Sequence, residues 1–311
     1  MPLAPEICKL LDAVAALGTP PVNEQTPAVA RAAYRQLTAL APHSTATLAT
    51  VHDTTCEGSG GALGLRIYTP EGRAPFPALV YFHGGGFVIG DLDTHDNACR
   101  ELCAGARCVV VSVDYRLAPE HKFPSAVEDC LAATRWVMAQ RATLHITDRV
   151  AVGGDSAGAN LATVVARHLR DTGESMPCAQ LLAYPVTDHY SRETASLRDN
   201  ANGYLLTRDS MVWFADHYLR GPADIDNPDS APLRAVSLHG LPPAWVATCE
   251  FDPLRDEGEA YARRLQAEGV PTTAKRYDGA IHGIFKSPTS LKLGRQMMDD
   301  ACAWLKRCFE A

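Results

Sequence analysis

The 311-residue sequence has no long apolar segment and no cluster of basic residues. No run approaches the roughly 18 apolar residues that a membrane-spanning helix needs. Acidic residues outnumber basic ones by 36 to 29, which gives a formal net charge of −7. Because nucleic acid and anionic lipid attract basic surfaces, we expect neither a nucleic-acid partner nor a membrane partner.

The N-terminus also lacks the pattern of a secretory signal peptide. Its stretch MPLAPEICKLLDAVAALG is amphipathic and carries charges inside the region that a signal peptide keeps apolar. We therefore expect a cytoplasmic protein. Its ten cysteines are scattered and form no CxxC pair, so free thiols are expected. His95, Cys99 and Cys103 share a spacing of four residues, but a metal site would need a fourth ligand and none is evident nearby.

Apolar runs alternate with helical patterns over most of the chain. From residue 77 onward most of the strand-like runs are continuously apolar, as is typical of strands buried on both faces of a parallel sheet. Amphipathic helical patterns lie between these runs, near 94–106, 124–140, 157–171, 254–268 and 287–309. This order predicts an α/β fold with a mostly parallel, doubly wound sheet.

Two segments stand outside this alternation. Residues 1–45 have the pattern of two helices, and residues 188–240 are polar and turn-rich with one amphipathic helix near 207–219. We expect the two segments to form a helical cap over a core made of residues 46–187 and 241–311. The alternative is that these helices only cover the edge of the sheet.

A G-x-S-x-G motif marks the junction between one strand and the helix after it. Gly154, Ser156 and Gly158 form the motif, directly after the apolar run RVAVG. Such a turn raises the serine hydroxyl to the helix N-terminus, where developing negative charge is favoured. Ser156 is therefore a candidate nucleophile, and a capping serine in a glycine-rich turn is the alternative.

A nucleophilic serine needs a base, and the base needs an orienting acid. In folds with this motif the acid and then the histidine follow the serine along the chain. His282 is the only histidine after the acidic stretch TCEFDPLRDEGEA, so it is the candidate base. Asp252 is the preferred acid, because it lies just past the strand end, before a proline that blocks an immediate helix. Glu250, Asp256 and Glu257 are the alternatives.

Three glycines follow the strand run that ends in YFH. Attack on a carbonyl creates an oxyanion, which backbone amides can stabilise if no side chain obstructs the substrate. We expect the amides of Gly84 and Gly85, with that of Ala157, to form an oxyanion hole. Gly86 would serve the turn, and His83 would organise the loop. A phosphate-binding loop is disfavoured because no Lys-Ser/Thr pair follows.

Taken together, these stretches resemble the hormone-sensitive lipase-like family of α/β hydrolases, typified by bacterial carboxylesterases. The resemblance includes YFHGGGFVIGD, VAVGGDSAGANLA, CEFDPLRDEGEA and YDGAIHGI, and extends from about Val51 to the C-terminus. One departure is Ala159, where the family usually has glycine. Because Ala159 lies inside a helix, where alanine is favoured, the assignment of chemistry stands.

The resemblance implies an α/β-hydrolase fold with a helical cap and no cofactor. It implies a serine carboxylesterase acting on a small-molecule ester of short-to-medium acyl length through an acyl-enzyme, and a homodimer. The implied roles match those argued above: Ser156 as nucleophile, Asp252 as acid, His282 as base, and Gly84, Gly85 and Ala157 as oxyanion donors. An amidase or peptidase on the same triad, or a non-catalytic small-molecule receptor, is the alternative.

Overall fold

An eight-stranded sheet forms the centre of the structure, a computed structural model that describes residues 2–311. The strands lie in the order β1-β2-β4-β3-β5-β6-β7-β8. β1 pairs antiparallel with β2, and β2 with β4, whereas all other neighbours are parallel. This confirms the predicted α/β fold. The strands are β1 Leu48–Gly58, β2 Gly61–Pro70, β3 Phe76–Phe82, β4 Val109–Asp114, β5 Ile146–Asp155, β6 Gln180–Ala183, β7 Ala244–Phe251 and β8 Thr272–Ile281.

Helices cover both faces of the sheet. They are α1 Pro5–Ala16, α2 Pro27–Ala39, α3 Asp96–Ala106, α4 Ser125–Ala139, α5 Ala157–Asp171, α6 Ala195–Asp199, α7 Arg208–Tyr218, α8 Arg255–Ala267 and α9 Lys292–Glu310. Residues of α4, α5 and α8 share one buried cluster with Val80 of β3, whereas those of α3 and α9 share the other with its neighbour Tyr81. Adjacent residues of β3 therefore fill opposite cores, which explains the continuous apolar run.

The structure differs from the predicted elements in details. α9 begins at Lys292, after a short 3₁₀ helix at Ile284–Lys286, and the five-residue α6 was not predicted. His95 precedes α3, with Cys99 and Cys103 buried as free thiols. Within residues 2–311 no group of His, Cys, Asp and Glu side chains could hold a metal ion. No helix in that range combines the length and the apolar character needed to cross a membrane.

The N-terminal helices are attached to the core at specific points. In α2, Arg31 donates through Nε to the Val88 carbonyl at 2.8 Å and through a terminal nitrogen to the Ala118 carbonyl, also at 2.8 Å. The same guanidinium pairs with Glu120 at 2.6 Å. These bonds fix α2 against the loops that follow β3 and β4, and so position one side of the candidate site.

Candidate active site

Ser156 occupies a sharp turn between β5 and α5. Its backbone has φ 56° and ψ −118°, a left-handed conformation that a non-glycine residue adopts only under constraint. A Cβ atom at Gly154 would lie 2.3 Å from the carbonyl oxygen of Phe82, and one at Gly158 would lie 1.8 Å from the same oxygen. The two glycines of the motif therefore let β3 approach the turn closely.

Three predicted residues meet at this turn. Ser156 Oγ lies 3.0 Å from His282 Nε2, and His282 Nδ1 lies 2.8 Å from Asp252 Oδ2. Asp252 is fully buried, and its other oxygen accepts the Leu254 amide at 2.9 Å. Because β5, β7 and β8 are parallel, the residues that follow these strands lie at one edge of the sheet, which brings the three side chains together.

The competing acids have other partners. Glu250 accepts a backbone amide of β8 at 2.7 Å, and Asp256 accepts the Ser196 amide at 2.7 Å. Glu257 accepts the Thr187 amide at 2.7 Å, and burial raises the pKa of Glu257 to about 8. Asp252 is thus the carboxylate hydrogen-bonded to the imidazole, while the other three bind backbone amides elsewhere.

At Gly84 the structure departs from the predicted oxyanion hole. The Gly84 amide donates to Asp155 Oδ1 at 3.1 Å, and Gly84 does not line the cavity in front of Ser156. Gly85 and Gly86 do line that cavity. No acceptor within residues 2–311 binds the amides of Gly85, Gly86 or Ala157. The Gly84 amide is therefore engaged by a carboxylate, whereas Gly85 and Gly86 line the cavity and their amides have no hydrogen-bond acceptor within residues 2–311.

Asp155, next to Ser156, connects the serine turn to the glycine loop. Besides Gly84, its Oδ1 accepts the Tyr81 hydroxyl at 2.7 Å and lies 3.3 Å from His95 Nε2. Burial raises the pKa of Asp155, but the attraction of His95 and the hydrogen bonds outweigh it and hold the pKa below its usual range. This role of Tyr81 and His95 was not predicted from the sequence. Tyr81 lies three residues before the glycine run, and this proximity could have suggested a role in the site, whereas no feature of the sequence around His95 suggested one.

His83 supports the same loop from its other side. Its Nδ1 lies 2.8 Å from the Gly84 carbonyl, and its ring stacks on Tyr115 with the ring centroids 4.2 Å apart. Burial lowers the pKa of His83 to about 4, so the imidazole is neutral near pH 7 and its Nδ1–H can donate to that carbonyl. These contacts fit the loop-organising role expected for His83.

A cavity of about 610 Å³ opens in front of Ser156 and His282. Its wall is mainly apolar, and both segments outside the β–α alternation contribute to it: Leu10, Val14 and Leu37 from the N-terminal helices, and Leu206, Met211 and Phe214 from the insertion. Phe214 stands directly over the glycine loop, because a Cβ atom on Gly86 would lie 2.3 Å from its ring. The site can therefore enclose an apolar chain next to the serine.

Comparisons with known proteins agree with this architecture. Residues 79–286 match a family model described as the alpha/beta hydrolase fold. The chain is 45% identical to esterase LipI of Mycobacterium tuberculosis over 75% of this chain and 74% of that protein. It is 39% identical to an arylesterase of Saccharolobus solfataricus over 80% of each chain. A hyperthermophilic esterase of the archaeon Pyrobaculum calidifontis superimposes with a TM-score of 0.94, at 41% identity over all of both chains.

The three relatives match 75–100% of the chain at identities of 39–45%, so the comparisons define a family as well as a fold. The chain belongs to the hormone-sensitive lipase-like family of α/β hydrolases, the bacterial carboxylesterase type.

Proposed function

We propose that this protein hydrolyses short-to-medium acyl esters through an acyl-enzyme on Ser156. That it is a carboxylic ester hydrolase follows from its family; the proposal assigns the residues and the ester class. The observation that carries it is the hydrogen-bonded series from Ser156 Oγ through His282 to the buried carboxylate of Asp252, at the base of an apolar cavity.

His282 transfers the proton in both halves of the reaction. Its Nε2 accepts the Ser156 proton as Oγ attacks the ester carbonyl, and then delivers that proton to the departing alcohol. Water attacks the acyl-enzyme in the same way, giving the acid and the free serine. Asp252 holds the imidazole with its proton on Nδ1 and stabilises the imidazolium that forms in each step.

The amides of Gly85, Gly86 and Ala157 stabilise the oxyanion in this proposal. They are the donors near Ser156 without an acceptor within residues 2–311, and the two glycines line the cavity. Asp155 is a positioning residue, because the Gly84 amide that it binds directly precedes this pair of donors. Preorganised donors of this kind contribute roughly 3–4 kcal/mol each to transition-state stabilisation.

The acyl-length preference rests on the cap formed by residues 1–45 and 188–240. Each methylene group that an enclosed apolar pocket buries makes the binding free energy more favourable by roughly 0.8 kcal/mol, until the acyl chain reaches the far wall. Met211, which lines the cavity, contributes to this wall. The substrate class that fits is a dissolved ester of limited acyl length, in preference to emulsified long-chain fat.

The test is kcat/KM for 4-nitrophenyl esters from acetate to palmitate, measured below micelle-forming concentrations. We expect a rise, a peak at short-to-medium length and a fall. Met211→Ala should move the peak to longer chains, whereas Val29→Ala, on an exposed part of α2 away from the cavity, should leave it in place. A profile that still climbs at palmitate, with activation at an oil–water interface, would contradict the enclosed pocket.

Two further properties stay predictions. We propose a cytoplasmic location, on the N-terminal pattern described above, and a homodimer, on the family resemblance. Analytical ultracentrifugation at micromolar concentration tests the dimer, and a single species of about 33.5 kDa, the mass of one chain, would contradict it.

A further inference from the structure

The wall of the apolar cavity contains a cationic side chain, that of Lys286. Among residues 2–311, Lys286 is the only lysine or arginine that lines the cavity shared with Ser156. It ends the short 3₁₀ helix Ile284–Lys286, just after His282, and is half-buried. Its Nζ lies 4.2 Å from the centroid of the Tyr34 ring. The ring attracts the ammonium group but does not neutralise its charge.

No carboxylate within residues 2–311 pairs with this ammonium group. Of the two aspartates that line the cavity, Asp155 is occupied by Tyr81, Gly84 and His95, and Asp188 forms a bidentate pair with Arg234. Burial lowers the pKa of Lys286 to about 8, although Asp155 acts in the opposite direction. A partly buried cation without a counter-ion is costly for a fold. The ammonium group of Lys286 is therefore available to an anionic partner that enters the cavity.

A second polar group on the cavity wall also lacks a partner. Thr38 lies one turn after Tyr34 on α2, so the two side chains share a helix face. Thr38 lines the same cavity, and its hydroxyl oxygen is buried without a hydrogen bond in the described part of the chain. Because solvent does not reach the Thr38 hydroxyl oxygen, the Lys286 ammonium group is the charged group that the wall beside Tyr34 offers to an occupant of the cavity.

We propose that Lys286 binds a carboxylate on the substrate, so that the enzyme favours esters whose acyl or alcohol part carries a negative charge. The inference rests on the proposed function, because it assigns a substrate class to the same site. Ser156 and Lys286 line one cavity, so a bound ester can meet the serine while its carboxylate pairs with the ammonium group. The Tyr34 ring, 4.2 Å away, attracts the same ammonium group.

Two pairs of substrates, measured at pH 7, locate the charge. In the acyl pair, the 4-nitrophenyl monoester of adipate is compared with 4-nitrophenyl hexanoate, which has the same number of acyl carbons. In the alcohol pair, 4-acetoxybenzoate is compared with phenyl acetate. The variants are Lys286→Met, which removes the charge, and Lys286→Arg, which keeps it. Lys275→Met is the matched control, because Lys275 also lies over a tyrosine ring, that of Tyr277, but outside the cavity.

The readout is the ratio of kcat/KM for the charged ester to kcat/KM for its neutral counterpart. Lys286→Met should lower this ratio by about tenfold or more in one pair, because a charge-assisted hydrogen bond is lost, and that pair identifies the charged side. Lys286→Arg and Lys275→Met should keep the ratio within about threefold, on the same reasoning. An unchanged ratio in both pairs, or an equal fall in the Lys275→Met control, overturns the inference.

The neutral esters separate this inference from the proposed function. If the parent enzyme cleaves neither neutral ester, the proposed function fails; if it cleaves them without any effect of Lys286, only the carboxylate site fails. Should Lys286→Met not fold, inhibition of the parent enzyme decides the matter. Hexanoate should inhibit hydrolysis of a neutral ester more strongly than hexanamide, which has the same chain without the charge, and equal or weaker inhibition by hexanoate overturns the proposal.

Discussion

Replacing Asp252 by asparagine tests the orienting acid with almost no change in shape. The two oxygens of Asp252 have different partners: Oδ2 faces His282 Nδ1 at 2.8 Å, and Oδ1 accepts the Leu254 amide at 2.9 Å. An asparagine has one oxygen and one NH₂ group for these two positions. If the NH₂ group faced the Leu254 amide, two buried donors would oppose each other, at a cost of roughly 1–3 kcal/mol.

The Leu254 amide therefore selects the orientation in which the NH₂ group faces His282. That group donates to Nδ1, so the imidazole proton moves to Nε2, the nitrogen that must accept the serine proton. Loss of the productive tautomer costs about 10⁴-fold in kcat, or roughly 5.5 kcal/mol of transition-state stabilisation. The expected signature is a large fall in kcat with a small change in KM.

Asp256→Asn is the matched control, four residues along the chain. Its carboxylate accepts the Ser196 amide and pairs with Arg255, without contact to the imidazole. We expect less than a tenfold loss of kcat. Steady-state kinetics on one aryl ester, with thermal unfolding to verify that both variants fold, measures the difference. A folded Asp252→Asn enzyme within tenfold of the parent, or a larger loss in Asp256→Asn, would refute the assignment.

Two predictions concern stability. Arg31→Met should lower the free energy of unfolding by about 2–4 kcal/mol, because it leaves two backbone carbonyls without their donor. Arg35→Met, one turn away at an exposed ion pair, should lower it by less than about 1 kcal/mol. Equal losses for the two variants in chemical denaturation would contradict the anchoring of α2. Burial raises the pKa of Glu257 to about 8, so the stability that its protonated form contributes is complete below about pH 4.5 and is lost as the pH rises through 8. Glu257→Gln stays neutral, so its free energy of unfolding relative to that of the parent should rise by roughly 1–4 kcal/mol between pH 5 and pH 9. A difference that stays constant across that range would contradict a buried carboxylate with a raised pKa.

The strands were predictable because of how they are buried. Val80 and Tyr81 of β3 fill opposite cores, so each position of the strand must be apolar, and the sequence carries that requirement directly. The order of the strands was not predictable in the same way. β4 lies between β2 and β3 because of crossover connections, which leave no mark on any single segment. The antiparallel pairing of β1 with β2 had a local signal, the SGG run between them.

Chain order and strand ends were sufficient to select Ser156, Asp252 and His282 as candidates. Which backbone amides of the glycine loop already have a hydrogen-bond acceptor could not be predicted from the sequence. Gly84 and Gly85 look equivalent in the sequence, but the Gly84 amide is bound by a carboxylate that lies 71 residues later in the chain. Lys286 was missed for a related reason, because a lysine beside a glycine-containing loop is ordinary until the cavity around it is known.

The central claim is that Ser156 is the nucleophile, and covalent labelling tests it most directly. The parent protein and Ser156→Ala are treated with an aryl alkylphosphonate ester, and intact mass and peptide mapping locate the adduct. We expect one adduct per chain, on Ser156, with loss of esterase activity in proportion to labelling. No adduct should form on Ser156→Ala. An unlabelled parent protein, or equal labelling of Ser156→Ala, would contradict the account and favour a receptor or a different nucleophile.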